Sequence, residues 1–420
     1  MLDIKFIREN PEAVQEAIAR KGTNPKLINE VISVDKNRRR ILAELEQSQA
    51  QLNIRSKDIA KLHGQQKIDA INEASMYSDK VKKLKPEAEK AEAEYREIML
   101  QIPNPPEKEV IDGKSDKDNT VNRTWGEKPE FGFEVRNHLD LGENLDLIDV
   151  ERAGKISGSR FYFIKKELVI LEFALIQYAF EILVKEGFIP MIPPVLLSKK
   201  TMEGAGYIPG GEDEIYKTQD DTYLAGTSEQ PLAGYHSDEI INYKNLPIRY
   251  AGFSSCFRRE AGSHGQDVRG ILRTHQFDKV EMFSYVLPKE SPKEHEYLVS
   301  LEEKIMQGLK IPYQIVNICA GDLGAPASKK FDVEAWMSGQ DRYRETHSCS
   351  NCTDYQARRL NIRYKDKEGN IDFLHTLNGT AIAIGRTLIA IMENNQTRSG
   401  SIEIPEVLHK WTGFREITRK

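Results

Sequence analysis

A repeat of apolar residues near the amino terminus constrains this chain more than any other feature. Apolar side chains recur at intervals that alternate between four and three, at Leu27, Val31, Val34, Ile41, Leu45, Leu52, Ile59 and Leu62. After a break at His63-Gly64-Gln65 the repeat restarts, at Ala70, Ala74, Tyr77, Val81, Leu84, Ala88, Ala91, Tyr95, Ile98 and Ile102. A spacing of about 3.5 residues joins two helices along one apolar seam. The pattern predicts an antiparallel coiled-coil hairpin over residues 27–102.

The predicted hairpin has to project, because a helix of about 36 residues is about 54 Å long. Three register positions are polar (Arg38, Ser48 and Arg55), and Pro86 should kink the second helix or destabilise it by about 3 kcal/mol. Basic residues cluster on both limbs, at Arg38, Arg39, Arg40, Arg55, Lys57, Lys61, Lys67, Lys80, Lys82, Lys83 and Lys85. These charges suit recognition of an RNA backbone, or they are ordinary solvated positions of a coiled coil.

Composition limits the remaining possibilities. A chain of 420 residues suggests about two or three domains, and we expect an N-terminal domain over 1–102, a polar linker over 103–135 and a second domain over 136–420. The net charge of −5 excludes a wholly basic nucleic-acid coat. Four cysteines give no disulfide framework, and no run of about 18 apolar residues occurs. We therefore expect a soluble, cytoplasmic protein with no membrane partner.

The stretch from Arg258 to Met282 carries the strongest chemical pattern. It reads as strand, loop and strand, with Gly262, Ser263, Gly265, Asp267 and Gly270 in the loop. Alternation predicts one core face, made by Leu272, Val280, Met282 and Val286. The opposite face carries a cation, an aromatic ring and a carboxylate, at Arg273, Phe277 and Glu281, and Arg258 and Glu260 share a parity across the loop. Such a face suits a groove for a phosphate, a base and a small polar group, or a solvated sheet surface.

These residues also carry a family resemblance. FRRE, a glycine-rich loop and RTHQFDKVEM resemble motif 2 of the class II aminoacyl-tRNA synthetases, in the form found in the seryl-tRNA synthetase family. A predicted helix over 158–186, followed by GFIPMIPPVLL, is similar to motif 1, and LNGTAIAIGRTLIAIMEN is similar to motif 3. The resemblance implies an α+β fold: an antiparallel sheet flanked by helices, with an N-terminal coiled-coil arm. It also implies a homodimer built on motif 1.

Two further blocks predict ligand contacts. In TSE, Thr227 and Glu229 are two apart and are predicted on one strand face, where a carboxylate and a hydroxyl suit an ammonium group. Asn378, Gly379 and Thr380 are predicted to form a turn before an apolar helix that carries Arg386. A buried arginine on such a helix needs an anionic partner, and a triphosphate would supply it.

The block from Asp341 to Arg359 predicts a metal site. Glu345 and Ser348 offer oxygen ligands of the kind that Mg²⁺ binds. The spacing His347-x-Cys349-x-x-Cys352 suits zinc instead, but no second cysteine pair lies nearby and the block resembles a family segment whose cysteines bind no metal. We therefore expect no zinc. His347 and Thr346 differ from the residues usual in the family.

The resemblance implies serine–tRNA ligase activity. The chain would activate L-serine with ATP to seryl-adenylate and transfer serine to the 3′ end of tRNA(Ser); tRNA(Sec) stays open as a second acceptor. The implied catalytic residues are Arg258, Arg273 and Arg386. The implied serine contacts are Thr227, Glu229, Arg258, Glu281, Asn378 and Thr380. The implied ATP contacts are Arg258, Arg259, Glu260, Arg273, Phe277, Glu345, Thr346, His347, Ser348 and Arg386, with Mg²⁺ on Glu345 and Ser348.

Two alternatives belong to other functional classes. One is a paralogue that loads an activated amino acid onto a carrier protein; such relatives lack the arm. The other is a catalytically inactive homologue, which should have lost the phosphate-binding arginines or the serine-binding carboxylates. This sequence has the predicted arm, the arginines and the carboxylates.

Overall fold

The computed structural model describes residues 1–261 and 269–419. It divides into two compact units, Leu2–Pro103 and Met1 together with Asn104–Lys420. The middle of the predicted glycine-rich loop, with Gly262, Ser263, Gly265 and Asp267, lies outside the described residues.

Helices dominate the amino-terminal part of the described chain, and strands and helices alternate in the rest. The helices are α1 (Ile4–Glu9), α2 (Pro11–Arg20), α3 (Lys26–Ile59), α4 (Gly64–Gln101), α5 (His138–Asn144), α6 (Val150–Ser157), α7 (Glu167–Lys185), α8 (Lys199–Ala205), α9 (Glu229–Gly234), α10 (Ser291–Gly308), α11 (Tyr355–Leu360), α12 (Ile384–Asn394) and α13 (His409–Thr412). The strands are β1 (Thr120–Trp125), β2 (Ile148–Asp149), β3 (Phe163–Ile164), β4 (Ile189–Met191), β5 (Leu196–Leu197), β6 (Tyr223–Leu224), β7 (Ile240–Asn242), β8 (Ile248–Phe257), β9 (Gln276–Val286), β10 (Tyr313–Asn317), β11 (Lys329–Met337), β12 (Arg342–Asn351), β13 (Arg363–Lys365), β14 (Ile371–Phe373), β15 (His375–Ala383), β16 (Ile402–Glu403) and β17 (Glu416–Ile417).

The smaller unit contains the predicted helical hairpin. Helices α3 and α4 pack along the apolar seam, with Ile41, Leu84, Ala88 and Ala91 buried between them. Helix α4 continues through Pro86. The coiled-coil prediction is confirmed by these two long paired helices.

The polar positions of the seam have partners within the hairpin. Arg38 forms an ion pair with Glu92 and lies 4.5 Å from the centre of the Tyr95 ring, both on the opposite helix. Arg55 forms an ion pair with Glu73 at 2.9 Å. Each cation is thereby accommodated in the seam because the facing helix supplies an anion.

The larger unit is built on an eight-stranded sheet of order β1-β10-β11-β12-β15-β9-β8-β4. Neighbouring strands are antiparallel except for β4 and β8, which are parallel. Side chains from α7, α10 and α12 form the main core with one face of this sheet. The α+β prediction, an antiparallel sheet flanked by helices, is confirmed.

Strand β9 contributes alternate side chains to the core on one face of the sheet and to a cavity on the other. Val280 and Met282 belong to the main core, whereas Lys279 and Glu281 line a cavity on the opposite face. The predicted core face is correct, since Leu272 and Val286 are also buried. Arg273 lies before β9, which begins at Gln276.

Two findings concern the segments before the sheet. Residues 103–135, expected to be linker and extended chain, include β1, which pairs with β10 at an edge of the sheet. The predicted helix over 158–186 starts only at Glu167. Gly158 ends α6 with a φ of +93°, a conformation that favours glycine, and β3 lies between the two helices.

Two local predictions in the site segments are also wrong. Thr227 and Glu229 do not share a strand; Glu229 opens α9, and the Thr227 hydroxyl accepts a hydrogen bond from its backbone N–H at 3.2 Å. Asn378, Gly379 and Thr380 are not a turn, since β15 continues through them in register with β9. Pairing with a central strand outweighs the local turn preference of Asn-Gly.

Candidate active site

A cavity of about 610 Å³ lies on the sheet face opposite the main core. Most of the predicted site residues line it: Thr227, Glu229, Arg258, Glu260, Arg273, Phe277, Glu281, Glu345, Thr346, Ser348, Asn378, Thr380 and Arg386. The three arginines, drawn from the β8–β9 hairpin and from α12, thus reach a single cavity. The structure brings together residues that are about 160 positions apart in the chain.

Two predicted ATP contacts lie elsewhere, as far as the described residues define the cavity. Arg259 follows Arg258 and donates its backbone N–H to the Glu214 carbonyl at 2.9 Å. His347 pairs in register with the core residue Val333, and its Nδ1 lies 2.8 Å from the Thr346 hydroxyl. Neither side chain lines the cavity as the described residues define it, and their ATP contacts stay predictions.

A β-bulge places the two predicted metal ligands on one face. Residues three apart in a regular strand face opposite sides, yet Glu345 and Ser348 both line the cavity. In the pairing of β12 with β11, Val333 faces His347 and Glu334 faces Glu345, so Thr346 is the extra residue. An inserted residue resets the alternation. No local sequence pattern predicts this bulge.

Glu229 marks one end of the cavity, where the side chains are deeply buried. Its carboxylate accepts hydrogen bonds from the Tyr207 hydroxyl at 2.7 Å and from Gln356 Nε2 at 2.8 Å. Burial, together with the nearby Glu281 carboxylate, raises the pKa of Glu229. An ammonium group placed here would relieve the repulsion between the two acids.

Glu281 and Thr380 face each other across β9 and β15. The Thr380 hydroxyl lies 3.4 Å from a Glu281 carboxylate oxygen, and Lys279 Nζ lies 2.5 Å from the same oxygen. Lys279 is a cavity residue that sequence reasoning missed, although its parity with Phe277 and Glu281 was a usable signal.

The other end of the cavity is cationic. Arg273 forms an ion pair with Glu260 at 3.5 Å, and Arg386 forms one with Glu345 at 3.2 Å. Although burial alone would raise the pKa of Glu345, Arg386 and Lys330 outweigh it and lower that pKa to about 2. The Glu345 carboxylate is therefore ionised at any physiological pH.

Arg258 lies between the two ends. Its Nε donates a hydrogen bond to the Gly226 carbonyl at 3.2 Å, and its guanidinium lies 5.2 Å from the centre of the Phe277 ring. The hydrogen bond to Gly226 places Arg258 beside the segment that carries Thr227, and the ring contact places it beside Phe277, which is predicted to stack on adenine. Arg258 is therefore placed to touch two ligands at once.

Lys330 is a further cavity residue that sequence reasoning missed. Its Nζ lies 3.0 Å from an Asp332 carboxylate oxygen, and Asp332 pairs in register with Ser348. Burial raises the pKa of Asp332 to about 7, against the opposing effect of Lys330. No sequence signal distinguished Lys330 from its neighbour Lys329, because only the strand pairing places it beside the predicted metal ligands.

The histidine and cysteines of the block from Asp341 to Arg359 do not converge. Cys349 lies in the main core, whereas Cys352 lines the cavity. The spacing that suited zinc is therefore divided between two faces of the sheet. Within the described ranges 1–261 and 269–419, no group of three or more His, Cys, Asp and Glu side chains could hold a metal ion.

The fold and the cavity define a class II aminoacyl-tRNA synthetase core: an antiparallel sheet whose cavity takes arginines from the β8–β9 hairpin and α12, and carboxylates from the same hairpin, α9 and β12. Residues 214–395 match the tRNA synthetase class II core domain (G, H, P, S and T). The fold resembles a Giardia lamblia prolyl-tRNA synthetase structure over 64% of this chain and 54% of that one, with a TM-score of 0.56 at 15% identity.

Closer similarities identify the family. Residues 1–106 match the seryl-tRNA synthetase N-terminal domain. The chain is 46% identical to the serine–tRNA ligase of Dictyoglomus turgidum over 100% of both chains, and 44% identical to that of Thermococcus onnurineus over 99% of this chain and 97% of the relative. The structure of a Pyrococcus horikoshii seryl-tRNA synthetase complexed with ATP matches with a TM-score of 0.92 at 41% identity, covering 100% of both chains. A Naegleria fowleri serine–tRNA ligase in complex with AMP matches with a TM-score of 0.87 at 35% identity, over 100% of this chain and 99% of that one.

The chain belongs to the seryl-tRNA synthetase family, a family of aminoacyl-tRNA ligases. The resemblance noted in the sequence is confirmed. The alternatives of an inactive or carrier-protein-loading paralogue find no support, because the paired arm helices and the cavity arginines and carboxylates are all in place.

Proposed function

We propose that this protein activates L-serine with ATP and transfers the seryl group to the 3′ end of tRNA(Ser). One observation carries the proposal: Arg258 lies in one cavity between a carboxylate-lined end and an arginine-lined end. An amino acid and a nucleotide bound at these two ends would meet beside its guanidinium. Attack of the serine carboxylate on the α-phosphate needs alignment and charge neutralisation more than acid–base catalysis.

At the nucleotide end, Arg273 and Arg386 bind the β- and γ-phosphates, and Arg258 bridges the α-phosphate and the serine carboxylate. Phe277 stacks on adenine and Glu260 contacts its edge. Glu345 and Ser348 would hold Mg²⁺, since an ionised carboxylate and a hydroxyl are oxygen ligands of the kind that this ion binds. The ion would neutralise phosphate charge.

At the amino-acid end, Thr227 and Glu229 bind the ammonium group, and Glu281, Asn378 and Thr380 surround the side-chain hydroxyl. Alanine is rejected strongly, because the buried Glu281 carboxylate would lose its O–H partner. Threonine differs by one methyl group, which shape alone excludes less effectively. Threonine is therefore the expected error.

The test is amino-acid-dependent ATP–pyrophosphate exchange across all twenty amino acids, followed by charging of tRNA(Ser) and tRNA(Sec). We expect exchange with serine, a weaker signal with threonine and almost none with alanine. Exchange driven best by another amino acid would refute the substrate assignment. tRNA(Sec) is the second candidate acceptor, and its charging decides that question directly.

We propose that the helical hairpin binds the tRNA through its basic side chains. Deleting residues 35–95 removes most of α3 and α4, and it should abolish tRNA charging while pyrophosphate exchange stays within about threefold of the full chain. The reason is that the cavity residues all lie in the other compact unit. Equal charging by the shortened chain would contradict this role.

We propose that the protein is a homodimer through the face of α7 and the segment after it. Large apolar side chains are exposed on α7 and on the segment that follows it, at Ile170, Phe173, Val184, Ile189 and Ile192. Phe173 is 61% exposed and Ile192 is 82% exposed. A group of large apolar side chains exposed to water is typical of a protein–protein interface.

Analytical ultracentrifugation tests the dimer. The full chain should sediment as a dimer, and Phe173→Glu should shift it towards monomer because a charge would be buried in the contact. The matched control is Ile371→Glu, at a comparably exposed residue on β14. A monomeric full chain at micromolar concentration, or an equal effect of both substitutions, would contradict the proposal.

The proposed location is the cytoplasm. All four cysteines are buried and free, which suits a reducing compartment. Separately, the helices in the described part of the chain include none that is both long and apolar enough to cross a membrane.

A further inference from the structure

A buried histidine outside the cavity contacts the backbone that leads to Arg273. His138 opens α5, and its side chain is almost fully buried. Its Nε2 lies 3.3 Å from the backbone N–H nitrogen of Ile271. Ile271 is two residues before Arg273, whose guanidinium lines the nucleotide end of the cavity.

The other ring nitrogen fixes which tautomer is present. His138 Nδ1 lies 2.9 Å from a carboxylate oxygen of Glu393, a fully buried residue near the end of α12. A carboxylate only accepts hydrogen bonds, so Nδ1 carries the proton and Nε2 is free to accept from Ile271. Glu393 is itself held, because it accepts the backbone N–H groups of His138 at 3.0 Å and Gly339 at 2.9 Å.

Two further contacts show how closely the chain fits at this point. Gly270 has a φ of +81°, and a Cβ there would lie 2.1 Å from His138 Nε2. Arg386, at the start of the same helix that ends near Glu393, donates a hydrogen bond to the Leu272 carbonyl at 3.5 Å. The Ile271 N–H is thus bound by His138, which Glu393 of α12 holds, and the Leu272 carbonyl is bound by Arg386 of α12.

We propose that His138 is a positioning residue for the adenylation reaction: through its acceptor nitrogen it sets the backbone at Ile271 and thereby aligns Arg273 with the nucleotide phosphates. His138 does not touch substrate. This inference rests on the proposed activity, because the alignment matters only if ATP binds at the arginine end. The expected effect falls on ATP, since Arg273 is proposed to bind only the nucleotide phosphates.

Two substitutions separate the two ring nitrogens. His138→Gln places an amide oxygen near the position of Nε2 and keeps an acceptor for Ile271. His138→Asn places its amide near Nδ1, keeps a donor for Glu393 and cannot reach Ile271. We expect the ATP KM to rise about tenfold in His138→Asn, the order of one lost hydrogen bond, and to stay within about threefold in His138→Gln. The serine KM should be unchanged in both.

Hydrogen exchange provides a readout that does not depend on catalysis. The Ile271 amide should exchange about tenfold faster in His138→Asn than in the unsubstituted chain, with a smaller change in His138→Gln. If both variants behave alike in KM and in exchange, His138 is only a packing residue and the proposal is refuted. If the unsubstituted chain shows no serine-dependent pyrophosphate exchange, the proposed function fails instead, and the amide measurement still decides the hydrogen bond.

A second variant covers the case in which the histidine variants do not fold. Gly270→Ala leaves His138 and Glu393 intact but places a methyl group where Nε2 lies. It should raise the ATP KM at least as much as His138→Asn, with the serine KM unchanged. An ATP KM equal to that of the unsubstituted chain would overturn the proposal.

Discussion

The two ends of the cavity are built differently. At the amino-acid end, Glu229, Glu281 and Thr380 are 5%, 1% and 4% exposed. The Glu229 carboxylate accepts a hydrogen bond from Tyr207, and the Glu281 carboxylate forms an ion pair with Lys279. At the nucleotide end, the side chains of Arg273 and Arg386 are 30% and 24% exposed and form ion pairs across different elements.

This difference suits the ligand that we propose for each end. Discrimination between amino acids that differ by one hydroxyl needs buried groups that lose a partner when the wrong ligand binds. A triphosphate carries enough charge that partly exposed arginines bind it well. On the proposed roles, selectivity belongs to the buried amino-acid end and charge neutralisation to the more exposed nucleotide end.

The largest expected effect comes from Arg258, which we propose contacts the ligands at both ends. Arg258→Ala should reduce serine-dependent pyrophosphate exchange by about a thousandfold, since a preorganised charge contact to the reacting groups is lost. The matched control is Arg259→Ala, because Arg259 is the adjacent arginine and lies outside the cavity lining. Comparable losses in the two variants, at unchanged melting temperature, would contradict the assignment.

A change at Glu281 should affect the amino-acid end alone. Glu281→Gln should lower kcat/KM for serine by about a hundredfold, the order of a lost charged hydrogen-bond partner in a buried site, and leave the ATP KM within about threefold. Because the substitution also leaves Lys279 without its anion, the double variant with Lys279→Met controls for stability. An ATP KM that rose as much as the serine KM would remove the distinction between the ends.

Acidification should weaken the amino-acid end at a pH where the Glu345 carboxylate of the nucleotide end is still ionised. Burial and Glu281 raise the pKa of Glu229 above the ordinary glutamate value of about 4.3, and only its ionised form pairs with an ammonium group. Serine affinity should therefore fall by up to tenfold per pH unit below that raised pKa. The pKa of Glu345 is about 2, so this carboxylate stays ionised throughout.

Calorimetric titration with serine alone measures this effect without the protonation of ATP. A melting curve at each pH verifies that the protein is folded. Serine affinity that stayed constant until the pH fell below about 4.3 would contradict a raised pKa for Glu229.

Local pattern was sufficient for the parts of the molecule whose contacts are close in sequence. The hairpin follows from its apolar repeat, because each helix needs the seam of the next. The core face of β9 follows from alternation. The failures, at Thr227, Glu229 and Asn378, occur where a neighbouring strand or a helix start decides the local conformation.

The sequence by itself determined which chemical groups are present and much of their local order: the arm, the alternation of β9, and the arginines and carboxylates of the site. Only the tertiary structure decided which of them meet. The bulge at Thr346 brings Glu345 onto the face of Ser348, the pairing of β11 with β12 adds Lys330, and the packing of α5 on α12 turns His138 towards Ile271. Such contacts join residues far apart in the chain, and strand register and helix packing fix them only when the whole core forms.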